Sequence, residues 1–407
     1  MQPMDTLFYL GIILVLGACV ERLAPWLHMP KVVGYLLLGL VIGPEVLGII
    51  PQSFVENAQI VTDLALSIIA VLVGATLKFS FLRSSLSEIV KITLFQSLST
   101  FAIVAAGFYL LGEHAGIGVT HMAVIALLLG GIATATDTAA PLSLVKELGA
   151  NGRFTSTFLA VVALDDAVSL LMFIIALSIA GTLLGNHGWE LASLWHVLFS
   201  VGASLLLGAF AGYLNRFFTK LFSHHRGMET IATLGIIFIL FSVSGSFALE
   251  PLLCAMSMGA VLTNISKEFS IIEEEIDTHL AEIIFMLFFI LSAMHLKLEA
   301  LFALPVAIEI YVVLRVVGKV LGSYLGAVAA QSSATLKRYM GLALLPQAGV
   351  AIGLALSLQK TPHLEPIASI MLNIVIATTF IHELLGPIFT RYALVQSGEC
   401  RKESKTP

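Results

Sequence analysis

Charge is what this sequence has least of. Asp, Glu, Lys and Arg together make up 12% of its 407 residues, against roughly 25% in a soluble chain. Hydrophobic residues meanwhile reach 58%, and the mean hydropathy is +0.98. A water-facing globule of this length is excluded, and the composition points to an all-α polytopic membrane protein. Basic residues do not even balance the acids. The net charge of −5 and pI near 6.1 leave no footprint for nucleic acid. Cysteine is nearly absent, and Cys19, Cys254 and Cys400 lie far apart with no CxxC or Cys/His cluster. No disulfide framework, zinc site or iron–sulfur centre is expected, and no resident cofactor. Met1–Thr6 lacks a positively charged n-region, so no cleavable leader is expected either.

What the chain has in plenty is apolar runs of helix length. They fall at about 5–25, 30–43, 57–77, 88–112, 120–144, 153–184, 193–215, 228–248, 250–265, 277–296, 301–330, 338–359 and 366–390. Near 20 residues per crossing, these predict 13 transmembrane helices in a single membrane transport domain over 1–407, with a short tail at 391–407. An odd count puts the termini on opposite sides. Placing the N-terminus outside puts seventeen of the 21 basic residues in inner loops or the tail. Only Lys297 and Lys360 then lie outside, while Arg315 and Lys319 fall within span 11. That bias fixes the orientation, with the C-terminus cytoplasmic.

Spans 5 and 12 carry sequence that weakens a helix. Span 5 contains Gly130-Gly131-Ile132-Ala133-Thr134-Ala135-Thr136-Asp137-Thr138, then Pro141; span 12 contains Leu345-Pro346-Gln347-Ala348-Gly349. Irregular backbone at membrane depth is tolerated only where protein or a cavity surrounds it. The two segments are seven spans apart, an odd offset. Spans 1–6 and 8–13 can therefore form inverted repeats in which two broken helices cross, the sequence pointer to a transport site.

Ionisable groups inside a membrane are functional candidates by default. Asp165-Asp166 lies twelve residues into span 6, about 18 Å from its start at Arg153. Side chains adjacent on a helix diverge by about 100°, so one carboxylate can hold a fixed partner while the other faces a water-filled cavity. Lys319 is the natural counter-charge. It sits in Gly318-Lys319-Val320-Leu321-Gly322, whose glycines let a neighbouring helix approach. Arg315 shares its face at i,i+4. Lysine can release a proton when buried and arginine effectively cannot, which assigns Lys319 to proton coupling and Arg315 to structural pairing. Asp137, in the first break, can neutralise facing helix ends. Thr134, Thr136 and exposed carbonyls there can bind a hard cation such as sodium through oxygen. Asp63, Glu309 and His382-Glu383 read as structural or tuning groups, Glu273–Glu275 with Asp277 as a solvated acidic helix end, and His224-His225 as a loop.

These residues, in this order, resemble the monovalent cation/proton antiporter superfamily, in its electrogenic two-aspartate sodium/proton branch. Pro30-Lys31-Val32-Val33-Gly34-Tyr35-Leu36 with Gly43-Pro44 is similar to that family's second-helix signature. Ala133–Asp137 and Leu345–Ala351 are similar to its two crossing segments, Leu164-Asp165-Asp166 to its two-aspartate motif, and Gly318–Gly322 to its lysine helix. The resemblance implies Asp166 as the shared cation and proton carboxylate and Asp165 as the partner of Lys319, released when sodium binds. It implies Asp137 and Thr136 as parts of the crossing assembly, with Gln347 and Gly349 in the second segment. Sodium would be held by Asp166 and Asp165. It further implies a homodimer, with a dimerisation part at about 1–80 and 193–296. A core part at about 88–184 and 301–390 would move as an elevator. The electroneutral branch carries Asn-Asp at this motif, so Asp165 sets the expectation toward electrogenic exchange. No large nucleotide-binding domain is expected after the spans, which sets the expectation away from the potassium-efflux relatives. The expected partners are monovalent cations, protons and the bilayer of a bacterial inner membrane.

Three rivals follow from the same residues. An intramembrane aspartyl protease needs two facing acids on different helices, gives Lys319 no place, and leaves the expectation at a non-enzyme. A sodium-coupled organic-anion symporter needs a roomier site with anchoring polar groups, and a channel lacks coupling. Potassium in place of sodium is the alternative within the favoured class.

Overall fold

A computed structural model describes residues 6–27, 29–112, 122–184, 191–221, 227–247, 249–266, 269–295, 298–359 and 364–400. Among them there is no strand; the chain is helix and short turns. In order, the helices are α1 (Thr6–Trp26), α2 (Lys31–Ile42), α3 (Gln52–Asn57), α4 (Gln59–Ala75), α5 (Phe79–Leu111), α6 (Met122–Ala133), α7 (Ala139–Glu147), α8 (Arg153–Leu183) and α9 (Leu191–Leu221). There follow α10 (Met228–Ser246), α11 (Pro251–Ile265), α12 (Phe269–His279), α13 (Ala281–Met294), α14 (Leu298–Ala303), α15 (Pro305–Ala329), α16 (Ala334–Ala343), α17 (Gly349–Gln359) and α18 (Glu365–Ser397).

Each apolar run folds as a helix or a helix pair. By length and composition, six helices among the described residues are able to cross a membrane: those within 6–24, 83–111, 153–181, 198–221, 228–246 and 367–397. Phe269–Ile276 with Ala281–Met294, bent by 54°, makes a seventh if counted as one span. The helices Lys31–Ile42, Gln59–Ala75, Met122–Ala133 and Pro251–Ile265 are apolar but shorter. Some ends differ from the sequence reading. α5 begins at Phe79 rather than 88, because nothing in Phe79–Ser87 breaks a helix. α18 continues through Arg391 to Ser397, so the expected tail is partly helical. It stops at Gly398, whose positive φ of 77° suits glycine.

The chain divides into two compact units. One comprises residues 1–84 and 199–296. Its helices meet through glycine. A Cβ on Gly74 of α4 would stand 2.0 Å from the carbonyl oxygen of Met256, and one on Gly259 of α11 would stand 2.0 Å from that of Val71. The α4 and α11 backbones thus touch reciprocally, the small-residue packing that apolar surroundings require. Along α9, Phe199, Leu206, Phe210, Phe217 and Leu221 are exposed at spacings of four or seven, an outward apolar stripe suited to lipid.

The other unit comprises residues 85–198 and 297–407 and holds all the predicted site residues. Its core packs α6, α8, α15, α17 and α18 around Leu128, Leu129, Ile132, Phe173, Tyr311, Met371 and Ile374. α15 presents Gly318, Gly322 and Gly326 in one line. Cβ atoms there would come within 2.6–2.7 Å of the α carbons of Thr100, Gln96 and Ile92. The α5 backbone therefore lies directly on α15. Glu399, just past α18, accepts from the amides of Phe154 and Thr155, each at 2.8 Å. The end of the described chain thereby caps the first turn of α8.

Candidate functional site

Both interrupted segments are interrupted in the structure. α6 ends at Ala133 and α7 starts at Ala139; α16 ends at Ala343 and α17 starts at Gly349. The breaks touch, since the Asp137 amide donates to the Pro346 carbonyl at 3.0 Å. Local chemistry accounts for each. Gly130 and Gly131 pack against Phe101 and Phe173 where side chains would not fit. Pro346 has no amide hydrogen to continue a helical ladder. Gly386 of α18 presses on Pro346, with a Cβ position 2.7 Å from its α carbon.

A broken helix leaves carbonyls without partners at its C-terminal end. Two buried cations take them. Arg315 donates to Ala133 O (3.0 Å), Ala135 O (2.7 Å), Leu345 O (2.6 Å) and Pro346 O (3.4 Å), so one guanidinium ties the ends of α6 and α16 together. Its fork of fixed donors suits several acceptors at once. Lys319 donates to Thr134 O and Thr136 Oγ1, each at 2.6 Å, and to Asp165 Oδ2 at 3.0 Å. Lys319 and Asp165 are both 0% exposed, a fully buried ion pair.

Asp165 is saturated. Besides Lys319, its carboxylate accepts from Thr136 Oγ1 (2.5 Å), Ser97 Oγ (3.0 Å) and the Gln96 amide nitrogen. A buried charge persists only with this kind of pairing. Asp166, the next residue of α8, is half-buried where Asp165 is closed off, and its own backbone oxygen accepts from Ser169 Oγ at 3.0 Å. The two carboxylates thus stand in different surroundings one residue apart.

The other sequence candidates divide. Thr136 is in the cluster through its hydroxyl. Thr134 enters only through its carbonyl, because its own hydroxyl donates to Gly131 O at 2.7 Å. Asp137 accepts from the amides of Ala139 (3.1 Å) and Ala140 (2.8 Å) and so caps the start of α7. Gln347 donates to Ile132 O and to the Tyr311 hydroxyl, each at 3.2 Å, bracing the second break against the first. Gly349 opens α17. Glu309 is exposed and stands apart from the cluster. His382 is buried, hydrogen-bonded to Thr378 O at 2.7 Å and packed edge-on to Tyr311. Sequence reasoning missed Gln96, Ser97 and Tyr311. The available signal was Gln96-Ser97 with Ser99-Thr100, a polar run inside an otherwise apolar span.

The arrangement fixes one carboxylate against a buried amine, sets a second on the next residue, and gathers a backbone oxygen and a hydroxyl around that amine. Oxygen groups of this kind suit small hard cations. Known proteins share the fold. The curated sodium/proton antiporter 1 of Methanocaldococcus jannaschii is 28% identical over 185 residues, and a probable sodium/proton antiporter, GerT, of Bacillus cereus is 26% identical over 183. These matches cover 44% and 43% of this chain and 41% and 44% of those proteins, so the chain spans less than half the length of the curated relatives it matches. Two structures of the sodium proton antiporter MjNhaP1 from M. jannaschii superpose with TM-scores of 0.71 and 0.75 at 22% and 21% identity. The first, determined at pH 8, aligns over 96% of this chain and 97% of that one; the second, an electron-microscopy map, over 99% and 100%. That likeness establishes a shared fold. The family described as sodium/hydrogen exchanger, transmembrane, matches residues 11–395, nearly the whole length, and the chain belongs to it.

Proposed function

We propose that this protein is a secondary active antiporter that exchanges sodium, or lithium, for protons across a membrane. The observation that carries the reading is the buried Lys319–Asp165 pair beside Asp166, at the meeting point of two broken helices. Asp166 serves as the shared carboxylate, taking either a proton or the cation, so the two move in opposite directions. Asp165 joins the cation site when the cation displaces Lys319. If Lys319 then gives up a proton, two protons cross per sodium and the exchange is electrogenic. Asp137, Thr134, Thr136, Gln347, Gly349 and Arg315 shape the crossing.

The proposed architecture is 13 crossings in two inverted repeats, with the N-terminus outside and the C-terminus cytoplasmic. Residues of about 88–184 and 301–390 form the moving core of an elevator, and those of about 1–80 and 193–296 the dimerisation part of a homodimer. The setting is a bacterial inner membrane, where such exchange serves pH homeostasis. The family membership and the names of the similar antiporters support this reading. The test is purified protein in proteoliposomes carrying a pH gradient, challenged with sodium, lithium and potassium in turn. Sodium and lithium are expected to dissipate the gradient and to drive a current. Potassium alone doing so would move the protein to potassium/proton exchange, and no response to any cation would end the antiport reading.

A further inference from the structure

The four donors around Asp165 come from different places. Lys319 comes from α15 and Thr136 from the first break, whereas Gln96 and Ser97 come from α5. Gln96 is fully buried. Its amide nitrogen donates to Asp165 Oδ1 and, at 2.8 Å, to Ser97 Oγ. Its carbonyl oxygen Oε1 is also buried, with no hydrogen-bond partner among the described residues. An amide oxygen left dry is costly, and such an atom calls for an explanation. Both amide atoms are carried by one carbon, so a neutral oxygen already stripped of water stands beside the Asp165 carboxylate. Hard cations take oxygen ligands, and a neutral one completes coordination without adding charge.

We propose that Gln96 is a ligand residue of the cation site. Its carbonyl oxygen joins the aspartates in holding the transported ion, while Ser97 keeps Asp165 in place. A cation that displaces Lys319 from Asp165 needs neutral oxygens to replace its water, and Gln96 supplies one at the point of displacement. The fixed reach of this side chain from α5 then helps decide which monovalent ion fits. This deepens the antiport reading and rests on it.

The test uses the full chain in proteoliposomes, with cation-driven proton movement titrated against sodium, lithium and potassium for wild type, Gln96→Met and Leu98→Ala, the last an exposed residue of the same helix. Methionine keeps roughly the bulk of glutamine and removes both amide atoms. Gln96→Met is expected to raise the apparent KM for sodium about 10-fold and to change the order of preference among the three ions, with a much smaller effect on the maximal rate. Leu98→Ala is expected to keep the wild-type KM and order. The inference is overturned by a Gln96→Met protein with wild-type KM and ion order, or by a Leu98→Ala protein whose order changes as much. Should Gln96→Met not fold, Gln96→Asn, which draws the oxygen back by one methylene, must change the ion order in its place. Wild-type protein that moves no protons with any cation overturns the antiport reading itself, a result distinct from a normal wild type with an unaltered Gln96→Met.

Discussion

At the scale of single residues, the site is a matter of which buried charges are matched. Lys319 and Asp165 share a hydrogen bond in surroundings closed to water. Removing one partner strands the other, a loss of about 3–5 kcal/mol, whereas replacing both together is often close to neutral. Lys319→Met should therefore lower thermal stability in detergent clearly, and Lys319→Met combined with Asp165→Asn should recover most of the loss. Melting curves for the two single variants and the double variant check this; a double variant no more stable than either single one contradicts it. Much of this pair was legible in the sequence, because a carboxylate and an amine in apolar spans stand out against their neighbours. Gln96 and Ser97 were not legible, because neutral polar side chains in a membrane span are common and carry no sign. Arg315 was legible as a structural group, but its partners were not. Backbone carbonyls have no signature in sequence, and only the fold reveals that four of them converge on one guanidinium.

At the scale of elements, glycine and proline do most of the specifying. Gly130-Gly131 and Pro346 announced both broken helices, since each removes something a helix needs: intrinsic propensity in one case, a backbone donor in the other. The exact ends were harder to read. α5 and α18 run past their apolar stretches because hydrophobicity stops before helix propensity does, and α18 halts only at Gly398. The line Gly318, Gly322 and Gly326 brings α5 onto α15 and so delivers Gln96 to Asp165. A Cβ on Gly322 would stand 2.6 Å from the Gln96 α carbon, where backbone must move. Gly322→Ala is expected to cost about 1–3 kcal/mol and to slow transport. Gly353→Ala, in α17 with open space around it, should be neutral or stabilise by about 0.5–1 kcal/mol. Thermal melting with transport assays on both variants decides, and equal effects at the two glycines would argue against close α5–α15 packing.

At the scale of the whole molecule, a low content of charge identified the solvent, and the few charges placed against that rule marked the candidate site. The family match over residues 11–395 agrees with the first of these readings. The number of crossings was less accessible. Several apolar helices are too short to qualify alone, and a helix broken at its centre reads as two pieces. The proposed exchange depends on one carboxylate on α8, Asp166, as the group that both ions are proposed to use in turn. The direct test is sodium-driven proton movement in proteoliposomes with wild type and Asp166→Asn side by side, the variant first shown to melt like the wild type. The account predicts robust exchange in the wild type and a loss of at least about 100-fold in the variant, equivalent to about 2.7 kcal/mol. Asp166→Asn exchanging sodium for protons at the wild-type rate would contradict it.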